Sequence, residues 1–302
     1  MSAPHFTILK NRAALSISGD DALSFLQGLV SNDVERASES RAIWAAFLTP
    51  QGKFLHEFMI VGLPGRLILD CEADRRDDLL TRLKRFRMRS KVEIEEDNSL
   101  TIAAAWGENQ PSSYALSSDP GAAAQIDGGV VFRDPRLADA GLRLIAAPDT
   151  LEQSLRSAGF IETDQAQYDA HRIALGLPDG SRDLEVEKAL LLENGFDELG
   201  GVDFQKGCYI GQELTARTHY RALIKKRLIP VAIDGEAPAP GTTLTVDGKD
   251  AGEMKTSSGA RGLALVRLAT WRSASDGLLT GGSAKLRPKP NPWMKLPVEA
   301  ET

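Results

Sequence analysis

The spacing of hydrophobic positions predicts an α+β protein. Short apolar runs, some of them alternating with polar residues, predict β-strands. In the first half of the chain they lie at 6–9, 14–17, 43–48, 54–61, 67–69, 92–94, 100–105, 130–132 and 142–145. The strands between 43 and 69 are joined by connections too short for a crossover, so we expect an antiparallel meander there. Pro50 and Gly52 predict the turn between its first two strands.

A spacing of three and four residues between apolar positions predicts helices from Asp20, the expected N-cap, to Val30, and over 74–88, 151–158, 164–175 and, less clearly, 188–193. Tyr168 and Arg172 share one face of the fourth helix. For Tyr168 the alternatives are packing in the core and contact with a ligand. Because arginine is costly to bury, we expect Arg172 to meet an acid or a ligand carboxylate.

The remainder of the chain has two different characters. Ser, Gly, Pro and Ala dominate 109–129, which predicts linker or irregular surface structure. After the middle of the chain, short strands at 227–233, 242–246, 249–256 and 263–268 predict a small antiparallel barrel or sandwich. Asp247-Gly248 is a hairpin signal, and the proline-rich stretch 287–293 should be extended.

Composition removes several classes of function. The chain has 302 residues and a net charge of −6, which gives no general attraction to nucleic acid. It has no apolar run long enough to span a membrane, and its first residues do not resemble a signal or transit peptide. Its two cysteines form no disulfide framework. We therefore expect a cytoplasmic protein that binds neither nucleic acid nor membrane.

A basic segment lies in the second predicted helix. From Arg75 to Lys91 there are eight Lys and Arg residues. A solvated helix face explains them, and a binding face for an anionic ligand or an acidic partner is the alternative.

The residues with most chemistry lie in KGCYIGQE, from Lys206 to Glu213. Cys208 stands here among cationic residues that favour a thiolate, Lys206 before it and Arg217 after it. Gly207 and Gly211 permit backbone angles that a tight loop presenting a thiol would need. The alternative is that Cys208 is a small buried hydrophobic residue. A lone thiolate could help to hold a metal or cluster only transiently or with ligands from a partner.

KGCYIGQE resembles the signature of the YgfZ family of tetrahydrofolate-associated iron–sulfur cluster maturation proteins, and the residues that follow resemble the branch with the mitochondrial iron–sulfur assembly factor. Four further stretches look like this family: LSISGDDALSFLQGLVSNDV, AIWAAFLTPQGKFLHEFMI, RFRMRSKVEI and RIALGLPDGSRDL. The family is in turn similar to the T-protein, the aminomethyltransferase of glycine cleavage. The resemblance implies a T-protein-like fold, with two interleaved α/β subdomains over 1–225 and a C-terminal antiparallel β-barrel over 226–302.

The resemblance also implies a site. Cys208 would be the functional thiol, and tetrahydrofolate would bind in a central channel. The residues implied to contact it are Tyr168, Arg172, Lys206, Gly207, Tyr209, Gly211, Gln212, Glu213 and Arg217. The T-protein and some relatives carry Arg-x-Glu-x-Gly, whose glutamate helps to hold the pterin. The matching residues here are Arg172, Ala174 and Gly176, and alanine has no side-chain acceptor.

We therefore expect a non-enzymatic maturation factor that supports [4Fe–4S] assembly or repair, with no stable metal of its own. Its partners would be iron–sulfur client or assembly proteins and a folate-type small molecule. One alternative is a folate-dependent one-carbon transferase like the aminomethyltransferase, which Ala174 disfavours. The other is a folate-binding scaffold whose thiol is only structural.

Overall fold

The computed structural model describes residues 4–107, 114–221 and 224–297, which contain seven α-helices and seventeen β-strands. The chain divides into two compact units. The first comprises 1–49, 55–168 and 199–210, and the second comprises 50–54, 169–198 and 211–302. Within the described ranges, no helix is long and apolar enough to cross a membrane.

The first unit contains two sheets. Its strands are β1 His5–Ile8, β2 Arg12–Ser18, β3 Ile43–Leu48, β4 Phe54–Leu63, β5 Arg66–Glu72, β6 Glu93–Glu96, β7 Thr101–Trp106, β8 Ala123–Ile126, β9 Gly129–Arg133, β10 Leu142–Ala146 and β11 Ile161–Glu162. Its helices are α1 Ala22–Gln27, α2 Arg76–Phe86 and α3 Pro148–Ser157. One sheet has the order β3-β4-β5-β2-β6 and the other the order β11-β1-β7-β10-β9-β8.

The six-stranded sheet shows how the sequence pattern is used. Its strands pair antiparallel, apart from β1 and β11, which run parallel. Leu142 and Leu144 alternate along β10 and pack with Leu151 and Leu155 of α3 in one core. The strand period of two and the helix period of four therefore place both apolar faces together.

The second unit is organised around a closed barrel of six strands in the order β12-β15-β14-β13-β16-β17. These strands are β12 Lys226–Asp234, β13 Thr243–Val246, β14 Lys249–Ser258, β15 Arg261–Arg267, β16 Leu279–Gly281 and β17 Ala284–Pro288. Asp247 and Gly248 have φ values of +49° and +76°, as a tight hairpin turn requires. The predicted antiparallel barrel and its hairpin are confirmed.

The remaining helices are α4 Gln165–Leu175, which runs from the first unit into the second, α5 Gly180–Asp183, α6 Gln212–Tyr220 and α7 Leu268–Arg272. The predicted helix at 188–193 is wrong, because only a 3₁₀ turn at Leu192–Asn194 is present. The prediction that Asp20 caps α1 is also wrong. The helix begins after Asp21, whose carboxylate accepts a hydrogen bond from the Lys91 amide instead.

The stretch predicted to be irregular, 109–129, contains strand β8, whose partner is β9. Residues 109–113 of that prediction lie outside the described ranges. Alternation in β8 is hidden by small residues, which is why the sequence did not indicate a strand.

Candidate functional site

The motif forms an anchored loop that presents Cys208. Before the cysteine, the Asp203 amide donates a hydrogen bond of 3.0 Å to the Ser31 carbonyl. After it, the Ile210 amide donates one of 3.3 Å to the Gly28 carbonyl. The loop is thus tied to the rest of its own unit on both sides of the thiol.

Lys206 provides a third anchor. Its side-chain Nζ donates to three backbone carbonyl oxygens at 2.7–2.8 Å, those of Gln27, Val30 and Asn32. It also lies 5.2 Å from the centroid of the buried Tyr209 ring. Burial lowers the pKa of Lys206 to about 8, so the amine remains mostly protonated at neutral pH.

This arrangement changes the expected role of Lys206. An ammonium has three N–H donors, and here the three carbonyl groups take them. No donor remains for the Cys208 sulfur. The structure therefore gives Lys206 the role of holding the loop.

The two cysteines have opposite environments. Cys208 is exposed, whereas Cys71 is buried and donates to the Ala13 carbonyl at 3.4 Å. Burial raises the pKa of Cys71 to about 12, so it stays a neutral thiol. The alternative of a small buried hydrophobic residue describes Cys71, and Cys208 is the thiol that another protein can reach.

The two glycines of the motif have different roles. Gly211 has φ +81° immediately before α6, which is a left-handed conformation that favours glycine. Gly207 is outside the left-handed region, and a Cβ atom there would meet nothing within 4 Å. The expectation of special backbone angles is confirmed for Gly211 and wrong for Gly207.

The rest of the motif belongs to the second unit. Gln212, Glu213 and Arg217 lie on α6, and the last two are exposed. The first unit therefore holds the motif from Lys206 to Tyr209 in one loop, while these three residues follow on a helix that the sequence pattern did not predict.

Tyr168 is packed as a core residue with a satisfied polar tip. It is 6% exposed, and its hydroxyl accepts a hydrogen bond of 2.9 Å from Arg143 Nη2. The Trp106 ring centroid lies 5.4 Å from its own, and Arg143 Cζ lies 5.6 Å from it. Protein groups therefore already contact the ring that the resemblance assigns to folate.

Tyr168 belongs to a larger buried polar cluster, which comprises Arg12, Trp44, Glu57, Asp70, Asp134, Arg136, Arg143 and Tyr168. Arg12 binds Asp70 at 2.6 Å and Glu57 at 2.5 Å. Arg143 binds the second Asp70 oxygen at 3.1 Å, and Trp44 Nε1 donates to Glu57 at 2.6 Å. The cluster contains three arginines and three carboxylates, so its charges balance inside the unit.

Two details show how tightly this cluster is coupled. Burial acts to raise the pKa of Asp134, but the charge and hydrogen bonds of Arg136 outweigh it, and the pKa falls below its usual value. Arg143 Nε is buried with no hydrogen-bond partner in the described structure. An unsatisfied buried donor costs free energy. Among the described residues of the cluster, Arg143 Nε is the one buried polar side-chain atom without a hydrogen-bond partner.

Sequence reasoning missed this cluster, although a signal was present. Glu57, Asp70 and Arg143 are charged residues at buried positions of strands that are mostly apolar. A charged residue that faces a core needs a partner of opposite charge. Three such interruptions in strands of one region could have indicated a common buried network.

Arg172 lies in the second unit and is 1% exposed. Its guanidinium donates to Asp183 and Asp169, each at 2.7 Å, and to the Leu177 carbonyl at 3.2 Å. The sequence predicted that Arg172 meets an acid or a ligand carboxylate, and the structure shows acids of its own chain. Burial acts to lower the pKa of Arg172, but the three nearby aspartates outweigh it and raise it.

Ala174 lines a cavity of about 250 Å³ in the second unit. Ile173, Pro230 and Val231 give the cavity apolar walls. Its polar groups are Arg261, Lys289 and Asn291. Among the described residues, the side chains of Arg261 and Lys289 have no ion-pair or hydrogen-bond partner, so the rim carries two uncompensated positive charges.

Comparisons with known proteins agree with this architecture. The family model "CAF17, C-terminal beta-barrel domain" matches residues 225–296. The crystal structure of glycine cleavage system aminomethyltransferase T from Bartonella henselae superimposes with a TM-score of 0.76 at 12% identity, covering 97% of this chain and 87% of that one. The expected T-protein-like fold with a C-terminal barrel is therefore confirmed.

Relatives with greater sequence identity carry one name, iron–sulfur cluster assembly factor IBA57, mitochondrial. The mouse protein is 34% identical over 87% of this chain and 77% of its own length. The human protein is 35% identical over 85% and 76%. The homolog of Coccidioides immitis is 30% identical over 93% and 74%.

These names place the relatives in mitochondria, which contradicts the expected cytoplasmic location. The expectation rested in part on the two unpaired cysteines, which are compatible with any reducing compartment. The resemblance read from KGCYIGQE and the four other stretches is confirmed. The chain belongs to the family of IBA57 iron–sulfur cluster assembly factors.

Proposed function

We propose that this protein assists the assembly of iron–sulfur clusters on other proteins, with Cys208 as its functional thiol. The observation that carries the proposal is the exposure of Cys208 on a loop anchored on both sides. Thiolates are the usual protein ligands of iron–sulfur clusters. An anchored loop presents the sulfur to a partner at low entropic cost, because the backbone is already ordered.

One thiol cannot hold a cluster alone. Clusters generally take four protein ligands, and the described residues contain no group of three or more His, Cys, Asp or Glu side chains arranged for a metal ion. The cluster is therefore a cargo, and an iron–sulfur client or assembly protein would supply its other ligands. Cys208 would act only while the two proteins are in contact.

The test is complementation of cells that lack the protein, with Cys208→Ser as the variant and Cys71→Ala as the matched control. We expect [4Fe–4S] enzyme activity to fall with Cys208→Ser and to persist with Cys71→Ala. Because Cys208 is exposed, its replacement should change the free energy of unfolding by no more than about 0.5 kcal/mol. Full enzyme activity with Cys208→Ser at normal protein abundance would refute the role of the thiol.

We further propose that any tetrahydrofolate binding is weak and relies on its carboxylates. Arg261 and Lys289 at the cavity rim suit anionic groups. Ala174 in its wall offers no acceptor for the amino group of a pterin. A volume of about 250 Å³ lies below the range of roughly 300–1,000 Å³ for drug-sized ligands, so the cavity would enclose only part of the molecule.

Calorimetric titration with tetrahydrofolate tests this proposal. The double variant Arg261→Gln with Lys289→Gln should weaken binding by about tenfold or more, since two charged contacts are lost. Ala174→Glu should strengthen binding if the pterin lies against that position. Equal binding by the native chain and the double variant would show that the carboxylates are not held at this rim.

A further inference from the structure

The last residues of helix α2 and the three residues after it form an exposed surface that is separate in sequence from the Cys208 motif. We call it the basic ridge, and it comprises Lys84, Arg85, Phe86, Arg87, Met88 and Arg89. All six residues are exposed. The helix itself is stabilised by its opposite face, where Leu79 and Leu83 are buried.

The eight cations of this segment fall into two groups. Those of the first turns and Lys91 face carboxylates of the same chain: Arg75 with Glu72 and Asp78, Arg76 with Asp77 and Glu96, Arg82 with Asp78, and Lys91 with Asp20. The four cations of the basic ridge have no side-chain partner among the described residues. No Asp or Glu lies between residues 79 and 92 of the sequence. The basic ridge is thus an uncompensated positive surface on a chain whose net charge is −6.

Two apolar side chains stand among these charges. Met88 is 89% exposed and has φ +41°, a strained backbone conformation for a residue other than glycine. Phe86 is 41% exposed, and its ring meets the buried Phe47 ring edge-on at 5.9 Å. Nothing in the packing of α2 requires Met88 at this position, since Leu79 and Leu83 fill the core. Strain of this kind, when kept at an exposed residue, points to a contact outside the chain.

We propose that the basic ridge docks a partner protein that presents an acidic surface around an apolar pocket. The four free cations would face its carboxylates, and Met88 would enter the pocket. Methionine suits this role because its flexible side chain adapts to irregular apolar surfaces.

Two other classes of partner fit less well. An anionic membrane requires an apolar helix face that can enter the lipid, and that face of α2 is buried in the core. A single-stranded nucleic acid is bound by several aromatic rings on which successive bases stack, whereas the basic ridge has one aromatic residue, Phe86, whose ring already contacts Phe47. The proposal does not depend on Cys208, because the ridge would bind with or without the thiol.

The experiment titrates fluorescently labelled probes with the full chain and measures binding by fluorescence anisotropy. The probes are a peptide of Glu-Leu-Glu-Glu repeats, its Glu-Ser-Glu-Glu analogue, poly-U, and vesicles of phosphatidylcholine with phosphatidylserine. The variants are Arg87→Glu and Met88→Gly. Lys10→Glu is the control, since Lys10 is also exposed and has no side-chain partner in the described structure.

We expect the native chain to bind the leucine peptide more tightly than the serine peptide. Arg87→Glu should weaken binding of the leucine peptide about tenfold or more, while Lys10→Glu should leave that binding unchanged. Met88→Gly should reduce leucine-peptide binding to the level of the serine peptide. Its thermal midpoint should not fall, because glycine accepts a positive φ without strain.

Several results would overturn the proposal. Equal binding of the two peptides would show that apolar side chains of the partner are not recognised. Unchanged binding of the leucine peptide by Met88→Gly would show that Met88 takes no part in docking. Tighter binding of poly-U or vesicles through Arg87 would identify a different class of partner. The native chain could also sediment as a dimer that Arg87→Glu dissociates. That result would show that the basic ridge binds a second copy of this chain.

Discussion

Replacement of Lys206 by methionine should loosen the loop that carries Cys208 while leaving the thiol itself intact. Methionine keeps the apolar stem of the lysine side chain and removes only the ammonium. The three carbonyl groups of Gln27, Val30 and Asn32 then lose their donors. The change therefore isolates the anchoring role of the ammonium.

The size of the effect follows from these contacts. A buried carbonyl without a donor costs about 1 kcal/mol, so three of them give an upper figure of about 3 kcal/mol. Lys206 is only partly buried, so water replaces some of the lost donors. Removal of the ammonium also removes its desolvation cost, which is large enough to lower its pKa to about 8. We expect a net loss of about 1–2 kcal/mol from the loop.

Amide hydrogen exchange is the suitable assay, because it reports on local opening. The amides of Asp203 and Ile210 bond to the Ser31 and Gly28 carbonyls, so they mark both ends of the loop. A loss of 1–2 kcal/mol should speed their exchange by a factor of about 5–30. Lys10→Met serves as the control. Unchanged exchange at both amides in Lys206→Met would refute the anchoring role of this ammonium.

Three further predictions test other parts of the structure. Burial lowers the pKa of His56 from 6.5 to about 4, so the unfolded state binds its proton first. Native stability should fall by roughly 3 kcal/mol as the pH drops through that interval, and urea unfolding of His56→Gln should lack this loss. Gly211→Ala should cost about 1 kcal/mol in thermal unfolding because of its positive φ, whereas Gly207→Ala should cost little. Asp183→Ala leaves the buried Arg172 without its fully buried acidic partner and should cost about 3–5 kcal/mol in denaturant unfolding.

Each of these has a clear contrary result. If acid lowers the stability of the native protein and of His56→Gln equally, the loss of stability comes from titratable groups other than His56. Equal midpoints for the two glycine variants would show that the turn before α6 tolerates a side chain. A small effect of Asp183→Ala would mean that Asp169 alone compensates Arg172.

Apolar periodicity predicted most strands because their side chains face a core on at least one side. It failed for α6, whose buried positions are Thr215 and Thr218. A helix that buries threonines has no apolar stripe to detect. The same limit explains the false helix at 188–193, where a run of leucines packs without regular backbone hydrogen bonds.

The site could be predicted only where its residues are neighbours in sequence. Cys208 and its glycines were visible as one motif, and their environment was not. Lys206 reaches carbonyl groups 174–179 positions away, and the buried polar cluster joins partners 45 and 58 positions apart around Arg12. Pairings of this range depend on the tertiary fold, so neither spacing nor composition reveals them.

The edges of the sheets have a consequence for solubility. In the described part of the second unit, the barrel closes on itself and leaves no strand edge to pair with another chain. In the first unit, edge strand β6 has the sequence Glu-Ile-Glu-Glu, and its three carboxylates repel an added strand. In the other, larger sheet of this unit, one edge is β11, which has only two residues. At these edges, encounters with other proteins would therefore rely on side chains, which separate again, rather than on backbone pairing, which propagates into aggregates.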